Sequence, residues 1–557
     1  MTSARHSSYT PAIFGEGLRL WIKSICMLVL VLGIAPALLH SQAYTDLHDF
    51  DCPTEGCRPS FPAILAQGRD GNLYGTTSSG GRFNFGTVFK ITPVGAITTL
   101  YDFNAGGSDG FLTVSGLTLG TDGNFYGTTY SGGANNSGTI FKITPVGVLT
   151  TLHSFTNTDG FAAAPPVLGA NGNYYGVTQG NTLTGTAYSI TSSGTYKLLP
   201  DPLPASSAAP LLLAKDRNFY GTTSYGGSFN QGTVFRMSAT GAVKIIYNFD
   251  GHANGGVPRG PLVQGSDGFL YGTASGGGLV SNPVGVVFKL STGGAITVLH
   301  SFDAADLTDG KSPFAGLVAA TDGNFYGGSS GSQGGPAQYG ALFKITKSGS
   351  YSVQHLFDLT HGQSPWPTAM QHTNGVIYGL ASAGGVSNTG VVYSLAVGIP
   401  GALSLMPTAG TAGQTIGILG GGLTGATSVS FGSGSASFTV VSDTYMTAVV
   451  PVSGTTGTVN VSTPSGTLKS KQVFSVIPVV SNFTPSSGPV GTQVVITGSG
   501  LTGATQVTFG GVKATSYTVN SGMTITATVP AGAKTGKITV KTAGGSASSK
   551  LKFTVTP

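Results

Sequence analysis

The string GNLYGTT at Gly71–Thr77 returns, with small changes, at Gly123–Thr129, Gly172–Thr178, Arg217–Thr223, Gly268–Ala274, Gly323–Ser329 and Gly375–Ala381. Its tyrosines, Tyr74, Tyr126, Tyr175, Tyr220, Tyr271, Tyr326 and Tyr378, are 52, 49, 45, 51, 55 and 52 residues apart. A period near 50 marks a unit that cannot bury its own apolar face and must pack on copies of itself. Within each copy, β-branched and apolar segments alternate with turns, and no 3.6-residue period persists. Asp70-Gly71, Asp122-Gly123, Asn171-Gly172, Asp267-Gly268, Asp322-Gly323 and Asn374-Gly375 supply hairpin turns, whose central residues need positive φ. Each copy therefore reads as four short strands. Charged residues make up only 8% of the chain and glycines number 89, which excludes long helices and coiled coils. The 40% hydrophobic content suffices for a core and excludes disorder driven by charge excess.

The expected fold class is all-β: a seven-bladed β-propeller followed by two immunoglobulin-like β-sandwiches. The last strand of each unit carries an L-x-x-F-like pattern, at Leu100–Phe103, Leu152–Phe155, Ile246–Phe249, Leu299–Phe302 and Leu356–Leu359. One extra copy, Leu47–Phe50, precedes the first unit, while the seventh unit stops after Val391–Val397. The N-terminal strand is thus expected to complete the last blade and remove open sheet edges, giving a ring over residues 44–400.

The pattern GNFYGTT…GTVFKITP, followed by a T-x-L-x-x-F strand, resembles the bacterial GloVer tandem repeats, a choice-of-anchor family of exported proteins. It is distantly similar to NHL-type repeats and to the virginiamycin B lyase propeller. The resemblance implies export and a propeller, but no chemistry. Ser481–Gly500 and Leu501–Gly511 resemble an IPT/TIG domain, expected over 477–557, with a weaker copy over 401–476. TIG domains occur in DNA-binding transcription factors and in extracellular spacer arrays, and an export signal favours the spacer.

Arg5, Arg19 and Lys23 precede an apolar run from Ile25 to Leu39, with small residues at Ser41-Gln42-Ala43. This reads as a secretory signal peptide over 1–43, the alternative being an uncleaved N-terminal anchor. A secreted or cell-surface protein, without a membrane span after cleavage and monomeric, is expected. The mature chain keeps Cys52 and Cys57, an even pair in an exported protein that suggests a local disulfide worth roughly 2 kcal/mol; two free thiols are the alternative. Residues 44–400 hold 15 Lys or Arg against 18 Asp or Glu, net −3, whereas residues 401–557 hold eight Lys against Asp443 alone, net +7. The lysines are spread along strands without stacking aromatics or arginines, which reads as a solvated face and excludes nucleic acid as a partner.

Tight Asp-Gly and Pro-x-Gly turns fall on one face of such a ring, and the long variable connections on the other. Binding sites concentrate on loops of that kind over a rigid scaffold. Asp109, Asp159, Asp303, Asp306 and Asp309 lie there as candidates for Ca²⁺ or sugar hydroxyls, although acidic residues before Gly are also ordinary turn formers. No other cofactor or metal is implied. Glu55 is the one glutamate of the mature chain, so the paired carboxylates of a glycosidase would have to be aspartates. His48, His153 and His300 share a repeat position with Tyr101, Tyr247 and Phe357, which reads as packing. The seven tyrosines read as structural, and Trp366 is the unusual aromatic near the ring. No catalytic constellation emerges. The expectation is a non-enzymatic protein binding extracellular glycan or envelope protein through its loop face, with the sandwiches as stalk. The alternatives are a polysaccharide-active or lyase-like enzyme using loop-face aspartates, and a purely structural spacer.

Overall fold

The structure, a computed structural model, describes residues 43–59, 64–113, 115–162, 164–180, 184–207, 209–331 and 334–557. The expected signal peptide, up to residue 42, lies outside the described residues. Among the described residues no helix is long and apolar enough to cross a membrane.

Seven antiparallel sheets form the blades of a propeller, six of them each from one repeat and the seventh completed by the N-terminal strand. Blade 1 shows the plan: Ala66–Gln67 innermost, then Leu73–Thr77, Thr87–Ile91 and Ile97–Asp102 outermost. The second and third strands are buried on both faces, as expected of a sheet sandwiched between neighbours. Blade 3 departs from the plan by adding Phe161–Ala162, so that Tyr174–Gln179 pairs with two short segments. In blade 7 the outermost strand is Ala43–Asp49, paired antiparallel to Val391–Ala396 with Ala43 opposite Ala396 and Asp49 opposite Val391.

The repeat tyrosine works at both of its ends. Its hydroxyl donates to the hairpin aspartate in Tyr74–Asp70 (2.8 Å), Tyr126–Asp122 (2.8 Å), Tyr220–Asp216 (2.8 Å), Tyr271–Asp267 (2.7 Å) and Tyr326–Asp322 (2.9 Å). Where the turn carries asparagine, Asn171 and Asn374 donate instead to the hydroxyls of Tyr175 and Tyr378. The ring meets the next blade: Tyr74 stacks on Phe125 and Tyr126 on Tyr174, each with centroids 4.0 Å apart. One side chain thus fixes a turn and a blade-to-blade contact together.

The L-x-x-F register needs one correction. In the sixth unit the outer strand reads Gln354-His355-Leu356-Phe357, and His355 lies opposite Leu342 as His153 lies opposite Ile140. Phe357 donates its amide to Gly340 as Phe155 does to Gly138. His355, not Phe357, therefore shares the position of His48, His153 and His300. The polar Gln354 at the usual leucine site hid the alignment.

Each C-terminal sandwich pairs a four-stranded with a five-stranded sheet, and corresponding strands follow the same order in both. Each has its own apolar core, around Phe431 and Phe474 in the first and Phe509 and Phe553 in the second. The first sandwich is not set apart from the ring as a stalk. Met406, Leu419 and Tyr445 share a core with Tyr74 and Phe125, and Arg69 lies over the Tyr445 ring at 4.4 Å. Thr444 donates to the Arg69 carbonyl (2.7 Å) and Thr373 to that of Gly420 (3.1 Å). Every one of these ring residues belongs to the inner two strands or the turn between them, so this sandwich covers the tight-turn face.

Two substitutions separate the two jobs of the tyrosine. Tyr126→Phe is expected to cost about 1 kcal/mol, one hydrogen bond, and Tyr126→Ala about 3–5 kcal/mol, both read by chemical denaturation. Equal losses would show that the ring contact contributes nothing beyond the turn.

Candidate functional site

The long connections emerge on the face opposite the first sandwich. Their backbones are braced: in blades 1, 2, 4 and 7 an asparagine at positive φ (Asn84, Asn136, Asn230, Asn388) accepts from a glycine amide four residues earlier at 2.9–3.1 Å. Asparagine tolerates that conformation better than other side chains. Beneath these loops, Cys52 and Cys57 form a disulfide across the four-residue helix Cys52–Glu55.

The structure gives the candidate aspartates distinct structural partners. Asp159 and Asp309 are buried and accept from His153 Nε2 (3.3 Å) and His300 Nε2 (2.9 Å). Asp109 accepts from the Tyr101 hydroxyl. Glu55 accepts from His48 Nε2 at 2.6 Å. In the backbone, the carbonyls of Glu55, Asp109, Asp159 and Asp309 all accept from a buried Thr or Ser hydroxyl, namely Thr87, Thr139, Thr178 with Thr186, and Ser329. These four acids therefore occupy one repeat position, just before Gly56, Gly110, Gly160 and Gly310. Sequence reasoning missed this pairing of carboxylate with ring, although an acid before Gly, some 20 residues ahead of each second strand's end, was the available signal. Asp303, half-buried, and Asp306, exposed, differ: they accept from the backbone amides of Ala305 and Thr308 within their own turn. The five aspartates do not converge. Among the described residues no group of three or more His, Cys, Asp or Glu side chains is placed to hold a metal ion.

The imidazoles continue outward into stacks. His153 lies on Tyr196 (3.7 Å between centroids), His300 on Tyr351 (3.9 Å) and His355 on Tyr44 (3.5 Å), each tyrosine coming from the outer strand of the next blade. Desolvation lowers the His153 pKa against the opposing pull of Asp159, and lowers that of His355 to about 4. Nε2 of His355 is buried without a hydrogen-bond partner.

What the loop face does present is apolar and aromatic surface. Tyr225 (53% exposed), Phe229 (60%), Leu279 (69%) and Phe83 (41%) stand on the connections between second and third strands. Trp366, between blades 6 and 7, is 39% exposed, with Nε1 donating to Ser330 Oγ (3.1 Å) and its ring edge-on to Phe314. Arg259 lies over the Phe314 ring, 5.1 Å from its centroid. A fixed, half-exposed indole of this kind is a platform for the apolar face of a sugar or a protein side chain.

Residues 37–202 and 202–332 match the Gloeobacter/Verrucomicrobia repeat family, and residues 478–555 match the IPT/TIG domain. A comparison with curated proteins finds no match. Among solved structures, a streptogramin B lyase is 14% identical over 64% of this chain and 97% of its own, with a TM-score of 0.44. The periplasmic gluconolactonase of Pseudomonas aeruginosa is 15% identical over 59% and 97%, with a TM-score of 0.37. A surface glycan-binding protein from Prevotella bryantii is 19% identical over 26% and 38%, with a TM-score of 0.21.

A histidine kept neutral by burial destabilises the folded state once the unfolded chain can take up its proton. His355 should therefore cost stability as pH falls from its ordinary value of about 6.5 to its folded value of about 4. Above that window it should have no effect. His355→Gln is expected to flatten the drop in Tm across that window in calorimetry. An unchanged slope would assign the acid lability to other groups.

Proposed function

Because the chain belongs to the Gloeobacter/Verrucomicrobia repeat family and ends in an IPT/TIG domain, we propose that it is an exported, non-enzymatic surface protein. In this reading residues 1–43 are a signal peptide, 44–400 the binding ring, and 401–476 and 477–557 the sandwiches that carry it. The ring binds extracellular carbohydrate or protein through its loop face. The observation that carries the proposal is Trp366, whose indole is held by Ser330 and Phe314 while the residue stays 39% exposed. The braced asparagine turns support it, since a preorganised surface loses little entropy on binding. So does the placement of the acids: Asp109, Asp159 and Asp309 are engaged by neighbouring rings, and Asp303 and Asp306 by their own turns. The second reading is a polysaccharide-active or lyase-like enzyme that uses loop-face aspartates such as Asp303 or Asp309.

A glycan array and an envelope-protein screen with the full chain test this reading. A ligand whose affinity falls about tenfold or more in Trp366→Ala, with Tm unchanged, is the expected result. Absence of any ligand, or turnover of a polysaccharide that Asp309→Ala abolishes, would replace this reading.

A further inference from the structure

The opposite end of the ring holds a second feature. Where the first sandwich covers the tight-turn face, the inner strands and the segment Lys469–Val473 enclose a cavity of about 910 Å³. Among the described residues its wall contains five cations, Lys215, Arg217, Lys347, Lys469 and Lys471, and no aspartate or glutamate. Composition does not explain this, because acids outnumber bases in the ring that supplies three of the five. Among the described residues none of the five stands in an ion pair. Their amines rest on neutral oxygens: Lys215 on the carbonyls of Gly265 and Ser266 (3.4 Å each), Lys347 on Ser266 Oγ (2.5 Å), and Lys471 on the Gln371 carbonyl. The carboxylates next to the lining in sequence, Asp216, Asp267 and Asp322, are held in their own hairpins by Tyr220, Tyr271 and Tyr326.

Five like charges around one cavity favour the entry of an anion. Burial alone lowers the Lys471 amine to about 8, which leaves it protonated at neutral pH. Lys215 and Lys469 are exposed, so the rim is open to solvent. The volume falls in the range of small-ligand sites. Between the cations the wall offers hydroxyl and amide partners, Thr118, Thr321, Asn324 and Gln472, beside aliphatic surface from Leu213 and Val318. That mixture suits a ring compound with hydroxyls as well as charge.

We propose that this cavity, bounded by the ring and the first sandwich, is a binding site for an acidic oligosaccharide, whose carboxylate or sulfate groups are held by Lys215, Arg217, Lys347, Lys469 and Lys471. The site is on the face opposite the loop platform, and it stands or falls independently of that reading. Titration calorimetry on the full chain, with trigalacturonate, a sulfated galactan trisaccharide and neutral maltotriose as probes, tests it. One or both acidic probes should bind, maltotriose should not, and affinity should fall as salt rises from about 50 mM to about 200 mM. Lys215→Ala combined with Lys469→Ala changes only exposed side chains, and Lys471→Met keeps an aliphatic stem of similar length. Each variant should weaken binding about tenfold or more, with Tm confirming the fold, while Trp366→Ala leaves this affinity unchanged. Failure of both acidic probes to bind, equal binding of maltotriose, or full affinity in the folded lysine variants would overturn the proposal.

Discussion

Ring closure by the strand Ala43–Asp49 is the interaction on which the rest depends. Without it, blade 7 would end at Val391–Ala396 with an open edge, and an unpaired strand edge invites association with other chains. Closure also fixes the stacking cycle, since Tyr44 on this strand covers His355 of blade 6, while Phe50 just after it packs edge-on against Phe89 of blade 1. Strain or disorder at this one seam would loosen the blades on both sides of it.

The blades themselves are held by a division of labour within each repeat. Near the tight-turn face, tyrosine clamps the hairpin and stacks on the next blade. Near the loop face, an acid before glycine receives a histidine or tyrosine from the preceding outer strand. These two devices absorb nine of the ring's 18 carboxylates, Asp70, Asp122, Asp216, Asp267 and Asp322 in the first and Glu55, Asp109, Asp159 and Asp309 in the second.

The hairpin turn was legible because its parts lie within five residues, as in Asp70, Gly71, Asn72 and Tyr74, and return in the other copies with changes such as Asn171, Arg217, Phe269 and Asn374. The ring count followed from repetition and strand spacing, and the sandwich fold from the resemblance of Ser481–Gly511 to an IPT/TIG domain. The ring–carboxylate pairs were harder to read, because their members are six to nine residues apart and chemically variable, with His, Tyr, Asp and Glu interchanged. The cationic cavity could not be read at all. Lys471 meets Gln371 across 100 residues, and Thr444 meets Arg69 across 375. Such contacts depend on how two finished domains dock, and nothing in local pattern encodes that. The contact between the first sandwich and the ring is of the same kind.

The seam has one more consequence. Ala43 is paired with Ala396, at the end of the blade where the tight turns lie, and the chain continues from there into the first sandwich. Ala43 and Ala396 therefore share one side of the ring, the side that the first sandwich covers and that holds the cationic cavity, while the long loops crown the other.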